Sequence, residues 1–225
     1  MSDSTDSHSA APRPLDAMQR RVLGVLVEKS KTTPGGYPMT VNSIVTGCNQ
    51  KSNRDPLTAL DDADVMNTLN DLINLGAVEL IDWTGRTDKY KHLAYDWLSV
   101  DRAELAVLGE LLLRGPQTLG ELRARASRME PIADLDALRP VVDRLVQRGL
   151  MLELTPPGRG QIVAHNLYPA DELAEVRERV ASGPSERPAS RPATGDSEIA
   201  ALRAEITELR QRVQALEERL DADRG

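Results

Sequence analysis

The densest polar run of the chain is Cys48-Asn49-Gln50-Lys51-Ser52-Asn53-Arg54-Asp55-Pro56. Asn49 to Arg54 puts six hydrogen-bonding side chains in succession, two of them cationic, and such residues grip phosphate oxygens or base edges. The same types also close a loop on itself, because Asn, Ser and Asp satisfy nearby backbone groups. Both readings of the run stand open. Other cations gather in the second half, where Arg123, Arg125 and Arg128 form one group and Arg139, Arg144 and Arg148 the next. Arg86 and Arg159 each follow a glycine in a turn. If the ligand is duplex DNA, Lys51, Arg54, Arg86 and Arg159 are expected to meet phosphates or the minor groove, with Arg144 and Arg148 nearer the major groove and Arg123, Arg125 and Arg128 beside them.

Acidic residues oppose that chemistry. The formal net charge is −7, and Asp61, Asp62, Asp64 and Asp71 lie in one helical segment, where the first of them also serve the helix dipole. The chain uses 23 Arg and 5 Lys, so arginine can fill any solvated face, and Asp136 and Asp143 dilute the second-half cations.

Catalytic chemistry is not expected. His8 lies in a Ser-, Asp- and Pro-rich N-terminus, and His92 and His165 occupy equivalent places in an internal repeat, which makes them structural. There is no nucleophile motif, phosphate loop or metal-ligand spacing, so neither a cofactor nor a metal is expected. Cys48, the single cysteine, reads as a small buried residue. A lone cysteine excludes an internal disulfide, and no apolar run reaches the ~18 residues of a membrane span, so a cytoplasmic protein is expected.

The elements that would position the cations come in two copies. Gly76, Gly85-Arg86, His92 and Tyr95 recur as Gly149, Gly158-Arg159, His165 and Tyr168, each 73 positions later. Upstream, Val22-Leu23-Gly24 and Leu26 match Val107-Leu108-Gly109 and Leu111, and Thr40 matches Thr118. Each copy reads as three helices and a hairpin. Asp16 with Gln19, Asp101 with Glu104, and Thr118 with Glu121 mark helix starts. Val65, Leu69, Leu72 and Leu75 lead to Gly76, as Leu138, Val142 and Leu145 lead to Gly149, with each glycine at a left-handed stop. Strand-like runs then flank Gly85-Arg86 and the turn Pro156 to Gly160. Pro140 requires the third helix of the second copy to kink, or to begin only near Leu138.

This order predicts a mainly α protein with small β-hairpins, of the α+β class, built as two tandem winged-helix domains at residues 15–98 and 99–170 with a small core in each. Residues 1–14 read as disordered, 171–181 as a short helix and 182–197 as a flexible linker. Within residues 198–222, Ile199, Leu202, Ile206, Leu209, Val213, Leu216 and Leu220 alternate spacings of three and four, a heptad with β-branched residues at most a positions and Leu at d. Glu198 would face Arg203 of a second copy, Glu205 would face Arg210 and Arg212 would face Glu217. A C-terminal coiled coil and a parallel homodimer follow as expectations.

Glu28-Lys29, Thr32-Thr33-Pro34, Tyr37-Pro38, Asn42 and Cys48-Asn49-Gln50-Lys51 with Arg54 and Pro56, followed by Arg114-Gly115, Gln117-Thr118 and Gly120-Glu121-Leu122-Arg123 with Arg125 and Arg128-Met129, resemble the YceH-like family of bacterial proteins. The resemblance covers residues 15–168 and implies a tandem winged-helix fold in a cytoplasmic bacterial protein; it implies no mechanism. A dimeric DNA-binding regulator is the first expectation, since fold, wing arginines and dimerisation agree, and a winged-helix adaptor that docks another protein is the alternative. A continuous positive stripe would favour DNA, and a mixed surface the adaptor.

Overall fold

Asp16 accepts the Gln19 amide N–H at 2.8 Å and the Gln19 side chain returns the bond, so the capping box sets the start of α1 (Ala17–Thr32). The computed structural model describes residues 13–81 and 87–183. Arg86 and the heptad residues Ile199 to Leu220 lie outside the described residues. A 3₁₀ turn at Pro34–Gly36 leads to α2 (Val41–Cys48), capped by Thr40, and α3 (Asp62–Asn74) is capped by Asp61. Strands β1 (Val78–Ile81) and β2 (Lys89–His92) pair antiparallel, and α4 (Ala94–Leu98) follows.

The second half repeats the sequence of elements. Helix α5 (Arg102–Arg114) opens on the Asp101/Glu104 capping box, β3 (Gln117–Thr118) feeds α6 (Leu119–Ala126), and α7 (Leu135–Gln147) precedes β4 (Met151–Glu153) and β5 (Ile162–His165). Helix α8 (Ala170–Ala181) is the last described element. The result is a mixed, helix-rich fold with small antiparallel sheets. Gly76 and Gly149 take φ of 75° and 68°, the left-handed stop that glycine adopts without a Cβ penalty.

The repeat extends to a detail that the spacing did not announce. In the second half β3 adds to β5, with Gln117 opposite Val163. In the first half an isolated bridge joins Met39 to Tyr90, the equivalent positions. Each hairpin is thereby tied to the residue just ahead of its second helix.

Two separate cores do not form. One continuous apolar cluster runs from Leu15 to Leu167 through both copies, and α1 against α5 is its most extensive helix pairing. Close approach depends on repeat-equivalent glycines. A Cβ on Gly24 would stand 3.0 Å from the Leu113 side chain, and one on Gly109 only 2.8 Å from a methyl of Val27. Residues 21–28 of α1 and 104–113 of α5 are buried all round, which is why both helices lack a polar stripe.

The C-terminal end of each hairpin also docks on α1. Tyr168 stacks on His165 at 4.0 Å with the Arg20 guanidinium 4.6 Å from its ring, while Tyr95 lies 5.7 Å from His92 with Lys31 at 5.6 Å. Pro140 neither delays nor ends its helix. Asp134 accepts the Ala137 N–H at 2.8 Å and starts α7 at Leu135, and Pro140 is on the exposed side, where water can take the freed carbonyl of Asp136.

Candidate interaction surface

The polar run after α2 turns inward. Arg54 has a side chain with 0% exposure, and its guanidinium donates to both carboxylate oxygens of Glu28, to the Gly47 carbonyl at 2.9 Å and to Gln50 Oε1 at 3.0 Å. Asn49 donates to the Leu60 carbonyl at 2.7 Å and accepts the Leu60 N–H at 2.9 Å. Arg21 of α1 caps the run from below through the carbonyls of Cys48 and Pro56 at 3.3 and 2.6 Å. Both ends of the run therefore satisfy main-chain groups, the role open to Asn and Arg in a long loop.

The middle of the run reaches the other half. Asn53 Oδ1 accepts from Arg114 of α5 at 2.7 Å, and the Asp55 N–H donates to the Leu113 carbonyl at 3.1 Å. Arg128, just after α6, donates to Glu28 Oε1 and, at 3.0 Å, to Glu110 of α5. Glu110 Oε1 lies 3.1 Å from Arg114 Nε. Glu28 and Glu110 are 1% and 0% exposed, so the two carboxylates and three guanidiniums form one buried chain across the junction of the halves.

The two acids differ electrostatically. Burial opposes ionisation of Glu28, but hydrogen bonds and charge from Arg54 and Arg128 outweigh it and hold the carboxyl below its ordinary value. At Glu110 burial prevails over Arg128 and Arg114, and the carboxyl is pushed up. Burial also raises the Cys48 thiol to about 12, which leaves it protonated and unreactive.

The expected cations are placed as follows. Arg54 and Arg128 both donate to buried carboxylates, Arg54 with a fully buried side chain and Arg128 with one that is 27% exposed. Arg144 donates to Glu104 at 2.9 Å and to Asp101 at 3.0 Å, and Arg148 to Glu104 at 3.2 Å and the Leu98 carbonyl at 2.7 Å. Arg125 is held by Gln117 at 2.7 Å and Glu121 at 3.3 Å. The side chains of Lys51, Arg123 and Arg159 have no hydrogen-bond or ion-pair partner among the described residues. Of the eight expected cations among the described residues, five are engaged by such partners. The sequence readings overlooked Glu28, Glu104 and Glu110 as the partners of the arginines; their visible signal is an acid set inside an otherwise apolar helical face.

The histidines are packed. Nδ1 of His92 accepts the Ala94 N–H at 3.3 Å, which places the proton on Nε2, 3.0 Å from Ser30 Oγ. Nδ1 of His165 accepts the Leu167 N–H at 3.2 Å. Among the described residues no group of His, Cys, Asp and Glu could hold a metal ion, and no helix is long and apolar enough to cross a membrane.

A family model described as "Protein of unknown function, DUF480" matches residues 15–159. The chain is 49% identical over 178 residues to a UPF0502 protein of Rhodopirellula baltica, a match covering 79% of this chain and 75% of that one. It is 43% identical over 199 residues to a UPF0502 protein of Geobacter sulfurreducens, covering 87% and 90%, and 40% identical over 214 residues to one of Pelobacter propionicus, covering 94% and 97%. Residues 15–159 contain the polar run, the buried charge chain and the first hairpin, and the chain belongs to the DUF480, or UPF0502, family of bacterial proteins.

Proposed function

We propose that this protein is a non-catalytic adaptor, in which a tandem pair of winged-helix units docks another protein and the C-terminal heptad joins two copies in parallel. The observation that carries the reading is the solvent face of α3, the element a winged helix would lay in the major groove. Its exposed residues include Asp62, Met66, Asn67, Asn70, Asp71 and Asn74, and the helix has no Lys or Arg at all. Carboxylates and amides without a cation repel a phosphate backbone but suit a protein surface. The corresponding helix α7 carries Arg139, held by Gln161 at 3.0 Å, and Arg144, which with Arg148 just after the helix folds back onto Asp101 and Glu104.

A DNA-contacting role has one observation in its favour: Lys51, Arg123 and Arg159 are unpaired among the described residues. Contacts from only these would give a salt slope of about −3 for each chain, small for a specific regulator. Cross-linked purification of the tagged full chain from its own cells, with and without nuclease, separates the readings. A stoichiometric protein partner that survives nuclease supports the adaptor, and recovery of duplex DNA alone overturns it.

A further inference from the structure

The first half exposes apolar side chains around the hairpin strands, and the surface they frame is called the cleft below. Met66 on α3 is 43% exposed and Leu80 on β1 is 44% exposed. Tyr90 on β2 lies between them: it is the cross-strand partner of Leu80, and its hydroxyl is 3.8 Å from the Met66 sulfur. Tyr90 itself is buried, so Met66 and Leu80 are the exposed apolar groups on either side of it. Thioether and aromatic surfaces adapt to varied apolar partners.

Two carboxylates flank the cleft among the described residues. Asp62 lies one helical turn before Met66 on the same row, followed by Asn70 and Asn74. At the hairpin end Asp88 acts electrostatically on the Tyr90 hydroxyl, which burial and then that charge push upward. Asp62 and Asp88 are exposed and have no ion-pair partner among the described residues. Glu79 and Lys91 pair with each other at 2.8 Å, at register positions that alternate with Leu80 and Tyr90 and so point to the other face.

We propose that this cleft docks a short segment of a partner protein that inserts an aliphatic or aromatic side chain between Met66 and Leu80 and sets Lys or Arg against Asp62 and Asp88. The proposal rests on the adaptor reading and names the chemistry of its partner. Apolar fill supplies affinity and the two carboxylates supply selectivity against acidic segments. Two half-exposed anchors define a small interface, so binding is weak and transient, with dissociation in the micromolar range.

The test is selection of a random heptapeptide phage library on the full chain, with Leu80→Lys as the counter-selection surface. Enrichment of an apolar centre flanked by Lys or Arg is expected, as is at least tenfold weaker binding of the selected peptide to Leu80→Lys and Asp62→Lys, with Leu135→Lys unchanged. Circular dichroism confirms that each variant is folded. A neutral or acidic consensus, or no enrichment, overturns the proposal. Conversion of a dimer to a monomer by Leu80→Lys also overturns it, because the occupant is then a second copy. If cross-links to a protein partner map to another face, this cleft is wrong while the adaptor reading stands; recovery of duplex DNA alone refutes that reading independently.

Discussion

Glu28→Gln is the most informative perturbation of the junction. The carboxylate is 1% exposed and accepts from Arg54, whose side chain is fully buried, and from Arg128. The amide retains one acceptor oxygen but loses the charge, leaving both guanidiniums without their shared counter-ion, with Arg54 also facing the charge of Arg21. Breaking a buried ion pair from one side costs about 3–5 kcal/mol, because the remaining charge stays desolvated. For a unit of this size each kcal/mol lowers Tm by roughly 2–4 °C, so a loss on the order of 10 °C is expected. Urea unfolding followed by circular dichroism should show a lower midpoint with an unchanged slope. A companion Arg54→Met variant should lose less on top of Glu28→Gln than on its own, since the second change removes the orphaned charge. A cost below about 1 kcal/mol for Glu28→Gln would refute the claim that the polar run is an internal strut, since that is the range of an exposed pair.

Further outcomes follow from the packing and the titrating groups. Gly109→Ala places a Cβ 2.8 Å from a buried Val27 methyl and should lower unfolding free energy by about 1–3 kcal/mol through overpacking at the α1/α5 contact, whereas Gly120→Ala, which meets nothing within 4 Å, should be close to neutral or stabilising, both read by thermal melts. Burial lowers His92 to about 4 and His165 well below its ordinary value, so the unfolded chain binds protons that the folded chain refuses as pH falls from about 6.5. Stability should therefore drop with decreasing pH across the window from about 6.5 to 4, by up to about 2.7 kcal/mol per unit for two histidines, and His92→Gln should flatten that slope in urea titrations. Ile206→Lys places a charge at an a position of the heptad and should yield monomers by analytical ultracentrifugation with both halves folded; an unchanged dimer would locate the interface elsewhere.

The sequence made local structure legible where one residue decides it. Asp16, Asp101 and Thr118 start helices through their own side-chain oxygens, and Gly76 and Gly149 end them through a left-handed φ that other residues avoid, so spacing alone located those boundaries. The joining of the two copies was hidden, because Gly24 and Gly109 look like weak points within a helix until a second helix is brought against them. Arginine chemistry was the least legible. Arg54 and Lys51 stand three positions apart in one polar run, yet the former is buried on Glu28 and the latter faces solvent, and that difference depends on an acid 26 residues away in α1. Charge can be counted along a chain, but its availability depends on which carboxylates the fold brings within reach.

The adaptor reading turns on whether enough free cations remain to hold a duplex. Fluorescence anisotropy of the full chain with mixed-sequence duplex fragments, titrated at low ionic strength and then with added salt, measures this directly. The account predicts weak binding, with a log–log salt slope no steeper than about −3 per chain, the value for contacts from Lys51, Arg123 and Arg159 alone. Tight binding with a slope near −6 or steeper per chain would contradict the account.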